Sequence, residues 1–421
     1  MDALLRRWMS RPWVFTTWSV LAAFGAYAAM YGFRKPFTVG VYGGPDAKAW
    51  LVTAQVVGYM LSKVIGIRVI AEMPASRRVV SLLGSVAVAQ VALVLFAITP
   101  WPFNSAWLLV NGLALGLVFG LVLGFVEGRC QTELFVAGMC ASFILADGAA
   151  KSVGAMVLAY GVAERWMPAV AGLLFSAPLV LFVWMLTRIP APSARDEAER
   201  SRRVPMNAAH RVAMRQRMGV GLTGLLLAYL QITMLRSVRA DFAPEIWAGL
   251  GLGHQPAIFT TSELWVTLLV VGVNGSLVLV RDNRRAFLWG LTLSVAGLCV
   301  ALAALVGHRL GMLSPFPFMV LLGAGMYVPY VAVHTTLFER LIALTREQGN
   351  MGYLMYLADA VGYLGYAAIL VSRALLPNPQ DFLGFFTQLA GGLLVVALVA
   401  MLSAGALHAR GVEWRVSRPS A

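Results

Sequence analysis

Charged residues are scarce in this sequence. Asp, Glu, Lys and Arg make up only 12% of the 421 residues, whereas a soluble globular protein carries about 25%. Hydrophobic residues account for 59% of the chain. This composition excludes an ordinary soluble enzyme.

Cysteine and histidine are also rare. The three cysteines, Cys130, Cys140 and Cys299, have no metal-ligand spacing and lie in or beside apolar stretches, so we expect neither a disulfide framework nor a metal site. The five histidines are scattered, and no HExxH or GxSxG motif occurs. An intramembrane enzyme would need such a metal cluster or nucleophile. We therefore predict that the protein is not an enzyme and uses no cofactor.

Basic residues outnumber acidic ones by 33 to 19, which gives a net charge of +14. In nucleic-acid-binding proteins such an excess is clustered on one surface. Here the basic residues are dispersed in short clusters between apolar stretches, as the positive-inside rule predicts for a membrane protein. We expect a surrounding lipid bilayer and no nucleic-acid partner.

Apolar stretches of about 20 residues recur from end to end, each long enough to cross a hydrocarbon core of about 30 Å. They run approximately from 13 to 35, 48 to 70, 79 to 99, 105 to 127, 137 to 160, 167 to 188, 218 to 239, 260 to 280, 286 to 306, 316 to 337, 351 to 372 and 383 to 407. The sequence thus predicts an all-α membrane protein with twelve transmembrane helices. A polar stretch divides them into a half at 1–189, a cytoplasmic linker at 190–217 and a half at 218–421.

The distribution of Lys and Arg predicts the orientation, because basic residues in short loops stay cytoplasmic. Of the 33 basic residues, 23 lie at the termini, in the linker and in the loops on the same side as these. The loops on the other side contain little beyond Lys48, Arg165, Arg309 and Arg373. We therefore expect a multi-pass protein of the cytoplasmic membrane, with both termini cytoplasmic.

The chain matches itself at offsets that rise along its length from 202 to 212 residues. The matching pairs are Tyr27 with Tyr229, Arg34 with Arg236, Arg77 with Arg284, Asp147 with Asp359, and Glu127 with Glu339. An ordered series of this kind indicates a parallel duplication. Two six-helix halves joined by a linker resemble the major facilitator superfamily, and the resemblance implies a secondary transporter.

The first two apolar segments resemble a narrower group, the organophosphate:phosphate antiporter family. The similarity lies in YAAMYGFRKPF and GYMLSKVIG, and in YLQITMLRSVRADFAP of segment 7. The residues at the family's motif positions are Tyr27, Tyr31, Arg34, Lys35, Ser62, Lys63, Arg236, Asp241, Phe242 and Pro244. The resemblance implies that Arg34 and Arg236 contact an anionic substrate.

Charged residues inside a membrane must face a cavity or a partner, because a charge at the bilayer centre costs about 2.5 to 3.5 kcal/mol. Arg34 and Arg236 occupy matching positions in the two halves, and guanidinium groups bind carboxylate or phosphate oxygens bidentately. We predict that they hold an anion, with Tyr27, Tyr31 and Tyr229 lining the cavity. The alternative is that both arginines extend to water at the ends of their helices.

Lys63 and Lys151 are two of only four lysines, and both fall inside apolar segments. We predict that they add positive potential at the substrate site. Lys151 follows Asp147 by four residues, the spacing of an ion pair on one helix face. The pair is therefore either self-neutralising or one that passes its lysine to the substrate.

Three further groups are candidates for coupling or gating. Asp359 lies on a face of segment 11 with Tyr356, Tyr363 and Tyr366, and it has no base at i+3 or i+4, so we expect it rather than Asp147 to bind a coupling proton. The alternative is that the tyrosines pack at a helix interface. The remaining candidates are Glu127 and Glu339, which end segments 4 and 10, and the lone His334, which is either a hydrogen-bonded interior group or a proton relay.

Segment 4 carries a glycine every fourth residue, at Gly112, Gly116, Gly120 and Gly124. This spacing presents one flat face that another helix can approach closely. We predict that the stripe serves helix packing.

Taken together, the sequence predicts a monomeric transporter that moves a small anionic substrate by alternating access. Its coupling is either exchange against another anion or proton symport. A membrane sensor or scaffold on the same fold, without transport, is the alternative.

Overall fold

The computed structural model describes residues 9, 11–71, 73–127, 129, 131–191, 208–253, 255–280, 282–345, 351–375 and 381–409. The chain forms two compact units, Met1–Arg202 and Arg203–Ala421. We call them the N-terminal half and the C-terminal half. No strand occurs within the described ranges, so the predicted all-α class is confirmed.

The N-terminal half contains seven α-helices within its described ranges. They are α1 (Pro12–Tyr31), α2 (Pro45–Ala71), α3 (Arg78–Ile98), α4 (Ser105–Leu115), α5 (Val118–Val126), α6 (Thr132–Ala159) and α7 (Met167–Thr187). Short 3₁₀ turns at Pro36–Val39 and Ala75–Arg77 precede α2 and α3. Because α4 and α5 follow each other in one apolar stretch, the seven helices make six spans.

The C-terminal half contains eight α-helices within its described ranges. They are α8 (Ala208–Asp241), α9 (Ala243–Gly249), α10 (Ala257–Gly275), α11 (Asn283–Arg309), α12 (Pro315–Ala332), α13 (Phe338–Thr345), α14 (Met351–Leu375) and α15 (Phe382–Ala409). A π-helical turn at Val333–Leu337 joins α12 to α13, one turn after the helix-interior Pro329. A proline removes a backbone donor and disturbs the regular ladder at such a point.

Twelve helical stretches of the described chain are long and apolar enough to cross a membrane, which confirms the number of predicted spans. Within each half, the spans pack against one another as helix pairs. In the N-terminal half α2 packs on α4 and α1 on α6 and α7, and in the C-terminal half α8 packs on α14 and α15. Cys140 is buried and Cys299 exposed, both as free thiols, while Cys130 lies outside the described residues.

Two helix ends differ from the approximate spans. Helix α1 ends at Tyr31, four residues before 35, and Pro36 begins the 3₁₀ turn that follows. The seventh span lies at Gly221–Asp241, close to the predicted 218–239, but its helix α8 already begins at Ala208. Its first three turns are polar but rich in Ala, Arg, Gln and Met, which favour a helix without raising the hydropathy. The rest of the predicted linker, 192–207, lies outside the described residues.

Two glycines of the segment 4 stripe, Gly112 and Gly116, pack closely against α2, which agrees with the predicted packing role. A Cβ atom added at Gly112 would overlap the carbonyl oxygen of Gln55, and one at Gly116 would overlap the side chain of Ser62. On the facing helix, a Cβ at Gly58 would overlap the carbonyl oxygen of Leu109. The backbones of α2 and α4 are therefore in direct contact, which fixes the position of α2 and the side chains it carries.

We expect Gly112→Ala to destabilise the protein by about 1 to 3 kcal/mol. The new methyl group would overlap backbone atoms of α2, which cannot move aside as a flexible side chain could. The matched control is Gly84→Ala in α3, where an added Cβ meets nothing within 4 Å. Thermal unfolding of the purified variants in detergent measures the difference. Equal melting temperatures for the two variants would contradict this packing.

Candidate functional site

The turn after α1 carries Arg34 and Lys35 and is held by two buried amide side chains. The Nδ2 atom of Asn111 donates to the carbonyl oxygens of Phe33 (3.1 Å) and Ala89 (3.2 Å). The Nε2 atom of Gln55 donates to the carbonyl oxygen of Arg34 (3.2 Å) and to Oδ1 of Asn111 (2.8 Å). The carbonyl oxygens just after α1 have no partner within that helix, and side chains of α2 and α4 donate hydrogen bonds to them. These hydrogen bonds fix the turn in place.

Asn111→Leu is therefore expected to destabilise the N-terminal half by about 2 to 4 kcal/mol. The substitution keeps the branched shape of the side chain but leaves two buried carbonyl oxygens and one amide without this partner. Gln131→Leu is the control, since Gln131 makes an exposed hydrogen bond to Thr16. A melting temperature for Asn111→Leu that equals that of Gln131→Leu would show that the amide network does not position the turn.

Arg34 and Lys63 meet at one aromatic ring. The guanidinium carbon of Arg34 lies 3.8 Å from the ring centroid of Tyr59, and the ammonium nitrogen of Lys63 lies 5.3 Å from the ring centroids of both Tyr59 and Phe119. Arg34 is 4% exposed and Lys63 3%. Arg34 therefore does not extend to water, and cation–π contacts bring the two cationic side chains together around the ring of Tyr59.

The predicted tyrosines extend this aromatic surface. The ring of Tyr27 packs edge-on against Phe119 at 5.3 Å and against Tyr31 at 5.6 Å. The N-terminal cation–aromatic cluster comprises Tyr27, Tyr31, Arg34, Tyr59, Lys63 and Phe119. Sequence reasoning missed Tyr59 and Phe119. Tyr59 lies one helical turn before Lys63 on α2, which is the signal that could have found it.

Asp147 binds two lysines. Lys151 pairs with its Oδ2 atom, and the Nζ atom of Lys35 lies 3.3 Å from its Oδ1 atom. All three side chains are at most 5% exposed. The predicted pairing of Asp147 with Lys151 is found, but a second lysine, Lys35, reaches the same carboxylate from the turn after α1. The alternative of a self-neutralising pair is therefore not met, because two lysines and one carboxylate have a net positive charge.

The N-terminal half carries more buried positive than negative charge. Its buried basic residues in the described ranges are Arg34, Lys35, Lys48, Lys63, Arg129 and Lys151. Asp147 is the only buried carboxylate among the described residues of this half. A low-dielectric interior with this excess favours binding of an anion.

In the C-terminal half Arg236 is also buried, at 7% exposed, and lies among tyrosines. Its guanidinium carbon is 4.7 Å from the ring centroid of Tyr330, and its Nη2 atom donates to the hydroxyl of Tyr363 at 3.2 Å. The water-extended alternative is therefore wrong for Arg236 as well. Tyr330, on α12, was not predicted from the sequence.

Tyr229, His334 and Asp359 form a hydrogen-bonded group on three separate segments. The hydroxyl of Tyr229 donates to Oδ1 of Asp359 at 2.5 Å and lies 3.3 Å from Nε2 of His334. The same His334 nitrogen is 3.7 Å from Oδ1 of Asp359. The ring of Tyr229 stacks on Tyr330 at 5.2 Å, which joins this group to the surroundings of Arg236.

The tyrosine face of α14 packs against α8, which supports the interface alternative for part of it. The hydroxyl of Tyr366 donates to Oδ2 of Asp241 at 2.8 Å, at the end of α8. A Cβ atom added at Gly362 would come within 3 Å of the side chain of Thr233. Tyr363, one turn before Tyr366, joins this interface to Arg236 through its hydroxyl.

An ion pair that sequence reasoning missed lies one turn beyond Arg236. The Nη1 atom of Arg239 is 2.6 Å from Oε1 of Glu263 on α10, and its Nη2 atom donates to the carbonyl oxygen of Met319 at 3.1 Å. Both side chains are buried. Glu263 is the lone carboxylate of its apolar segment, which is the signal for a partnered charge. The pair ties together α8, α10 and α12.

Glu127 and Glu339 lie at the ends of their spans. Glu127 follows the last residue of α5, and Glu339 stands in the first turn of α13; both are half-buried. Arg34 follows the other end of a span, so by alternation of the helices Glu127 lies at the opposite side of the N-terminal half. A gating role for either residue stays a prediction.

A loop contact on the Arg34 side of the N-terminal half joins two connections. The carboxylate of Glu164, between α6 and α7, accepts hydrogen bonds from the backbone nitrogens of Val41 and of Tyr42, the latter at 3.0 Å. Burial, and secondarily the charge of Glu164, raises the pKa of the Tyr42 hydroxyl well above its usual value. Tyr42 has a positive φ of 51°, and these two hydrogen bonds hold it in that conformation.

Solved structures of transporters share this fold. A crystal structure of a D-xylose–proton symporter superposes with a TM-score of 0.64 at 14% identity, covering 92% of this chain and 96% of that one. A mutant of the peptide transporter POT gives 0.63 at 15%, covering 96% and 95%. The nucleoside transporter NupG gives 0.62 at 13%, covering 92% and 98%. These likenesses establish the fold of the major facilitator transporters.

The sequence comparisons give a family but no described activity. A search of curated proteins finds no match, and the resemblance to the organophosphate:phosphate antiporters stays a prediction. A family model matches residues 36–410, which contain eleven of the twelve spans together with Lys63, Asp147, Arg236 and Asp359. Because this match covers most of the chain, the protein belongs to DUF5690, a family of unknown function.

Proposed function

We propose that this protein is a secondary transporter that moves a small organic anion across the cytoplasmic membrane by alternating access. The fold and the twelve apolar helices support transport, since solved structures with this fold include transporters. The excess of Lys and Arg on one side supports cytoplasmic termini. No metal or cofactor takes part in the proposal.

The observation that carries the choice of an anion is the excess of buried positive charge in the N-terminal half. Arg34 and Lys63 lie on the faces of Tyr59 and Phe119. Aromatic faces stabilise a cation without neutralising it, so these contacts preserve the positive charge of the half. An anion would bind the guanidinium group of Arg34 through two parallel hydrogen bonds.

Asp147 is the internal counter-ion of this half. It holds Lys35 and Lys151 in place, and the two lysines exceed its single negative charge by one. We propose that this charge adds to the potential that attracts the substrate. Lys63 has the same role from α2.

In the C-terminal half we propose Arg236 as the second anion-binding side chain. Tyr330 and Tyr363 orient its guanidinium group, and the stacked ring of Tyr229 continues the same surface. Tyrosines supply rigid apolar area with a polar end, which suits the carbon skeleton and hydroxyl groups of an organic anion. Tyr27 and Tyr31 have the equivalent role in the N-terminal half.

A binding panel on the purified protein tests the proposal. Phosphate monoesters, sugar acids and dicarboxylates are added, with neutral sugars and nucleosides as controls, and the melting temperature is recorded. At a concentration of about 100 times Kd, a ligand that binds only the folded state stabilises it by about 2.7 kcal/mol. We expect stabilisation by at least one anion class and not by the neutral compounds. Stabilisation by neutral sugars or nucleosides alone would refute the proposal.

A further inference from the structure

We infer that Tyr229, His334 and Asp359 form a proton-binding site, in which one proton is shared between the carboxylate and the imidazole through the tyrosine hydroxyl. The inference rests on the proposed transport function for its biological role, because it makes the transporter a proton-coupled one. The site itself is argued from the geometry of the C-terminal half alone.

The hydrogen bond to the backbone defines the resting form of the histidine. Nδ1 of His334 lies 3.1 Å from the carbonyl oxygen of Tyr330. A carbonyl oxygen can only accept, so Nδ1 carries a hydrogen. In the neutral imidazole Nε2 is then an acceptor, and this is the atom that faces the hydroxyl of Tyr229 and the carboxylate of Asp359.

With one proton on the group, two arrangements satisfy all of these contacts. In the first, the carboxyl group of Asp359 donates to the oxygen of Tyr229, whose hydroxyl donates to Nε2 of His334. In the second, protonated His334 donates through Nε2 and the Tyr229 hydroxyl donates to the carboxylate. The first converts to the second when the carboxyl O–H bond breaks and the Tyr229 oxygen takes that proton while passing its own to Nε2.

Without the proton, the hydroxyl of Tyr229 contacts two acceptors. It has a single hydrogen and cannot donate to Oδ1 of Asp359 and to Nε2 of His334 at the same time. The contact with Asp359 is the shorter of the two, at 2.5 Å between the oxygens. A geometry with two acceptors around one donor is suited to taking up one further proton.

The equivalent aspartate of the N-terminal half, Asp147, has partners of a different kind. Asp147 corresponds to Asp359 in the repeat, but it is paired with the two ammonium groups of Lys35 and Lys151. Asp359 instead has a hydroxyl and an imidazole, which can both give and take a proton. The π-helical turn Val333–Leu337 places His334 in this position, and such turns are frequent at functional sites.

Other charged groups surround the proposed site. Tyr330 on α12 stacks on Tyr229, and it is also contacted by Arg236 on α8, which binds Tyr363 on α14. The same elements carry further charged groups with partners of their own: Arg239 pairs with Glu263, Asp241 accepts a hydrogen bond from Tyr366, and Arg340 donates to Asn283.

This arrangement links the proton to the anion. The protonated group is neutral, and the deprotonated group carries one negative charge. Tyr229 and Arg236 are seven residues apart on α8, which corresponds to about 10 Å along the helix. At an effective dielectric constant of about 20, loss of the proton is expected to weaken anion binding at Arg236 about tenfold. By reciprocity, a bound anion strengthens proton binding by the same factor, which produces symport.

Infrared difference spectroscopy of the ligand-free, full-length protein between low and high pH tests the site. We expect a carbonyl stretching band of a protonated carboxylic acid that is lost in Asp359→Asn and retained in Asp282→Asn. Asp282 caps α11 through Arg285 and lies outside the group, and Asn is an equivalent cap. In His334→Gln the band becomes stronger, because the proton then remains on Asp359.

The same band in Asp359→Asn, or no such band in the wild-type protein, would overturn the inference. His334→Gln provides a second readout should Asp359→Asn fail to fold, and a band no stronger than in the wild type would likewise count against a shared proton. The experiment needs no substrate. Its failure would leave the anion panel unaffected, so the proton site and the proposed transport function are tested separately.

Discussion

Arg34→Lys is expected to reduce uptake of an organic anion into proteoliposomes about 100-fold while the protein remains folded. Lysine keeps the charge but lacks the planar group that lies on Tyr59 and the two parallel donors that fit a carboxylate or phosphate. Losing one of two charge-assisted hydrogen bonds and the stacking contact costs about 2 to 3 kcal/mol, which corresponds to this factor.

The matched control is Arg77→Lys, an exposed arginine that precedes α3. We expect its uptake to equal that of the wild type. If Arg34→Lys transports as well as Arg77→Lys, the guanidinium group of Arg34 does not bind the substrate, and the anion site must be sought elsewhere in the N-terminal half.

Asp147→Asn is expected to destabilise the protein by about 3 to 5 kcal/mol, a larger loss than we expect for the glycine-stripe and amide variants. Removal of this carboxylate leaves Lys35 and Lys151 buried next to each other without their shared counter-ion. Removing one partner of a buried ion pair costs this much because the remaining charge is uncompensated. Thermal and denaturant unfolding in detergent measure the loss.

The two lysine variants are the matched comparison. Lys35→Met or Lys151→Met leaves a one-to-one pair with Asp147, so each is expected to cost less than half as much as Asp147→Asn. A self-neutralising pair of Asp147 and Lys151 alone would give a different order, with Lys151→Met as damaging as Asp147→Asn and Lys35→Met nearly neutral. That order would contradict the three-membered cluster.

The membrane architecture could be predicted because hydropathy and length determine which segments span a bilayer. All twelve spans follow from apolar stretches bounded by charge, proline or glycine. The helix ends differ from the spans where hydropathy carries no signal. The amphiphilic start of α8 at Ala208 is helical because of its composition, and α1 ends at Tyr31, before Pro36, within an apolar run.

The N-terminal site was predicted only in part, because sequence spacing shows contacts within a helix but not between helices. The pairing of Asp147 with Lys151 follows from an i,i+4 spacing and is found. Lys35 reaches the same carboxylate from a segment more than a hundred residues away. Tyr59, which brings Arg34 and Lys63 together, lies on another helix from Arg34 and gave no signal for that contact.

The same limit applies to the C-terminal half. Asp359 was singled out because its own helix face offers no base, yet its partners Tyr229 and His334 come from α8 and from the turn after α12. The π turn that orients His334 leaves no mark in the hydropathy pattern. The sequence could therefore name the three residues separately but not the group that they form.

The most direct test of the central claim, transport of an organic anion, is uptake of isotopically labelled compounds by the purified protein in liposomes. The panel contains phosphate monoesters, sugar acids and dicarboxylates, with a neutral sugar and a nucleoside as controls. We predict saturable uptake of at least one anion class, reduced about 100-fold in Arg34→Lys and normal in Arg77→Lys. Uptake of only the neutral compounds, unchanged in Arg34→Lys, would contradict the account.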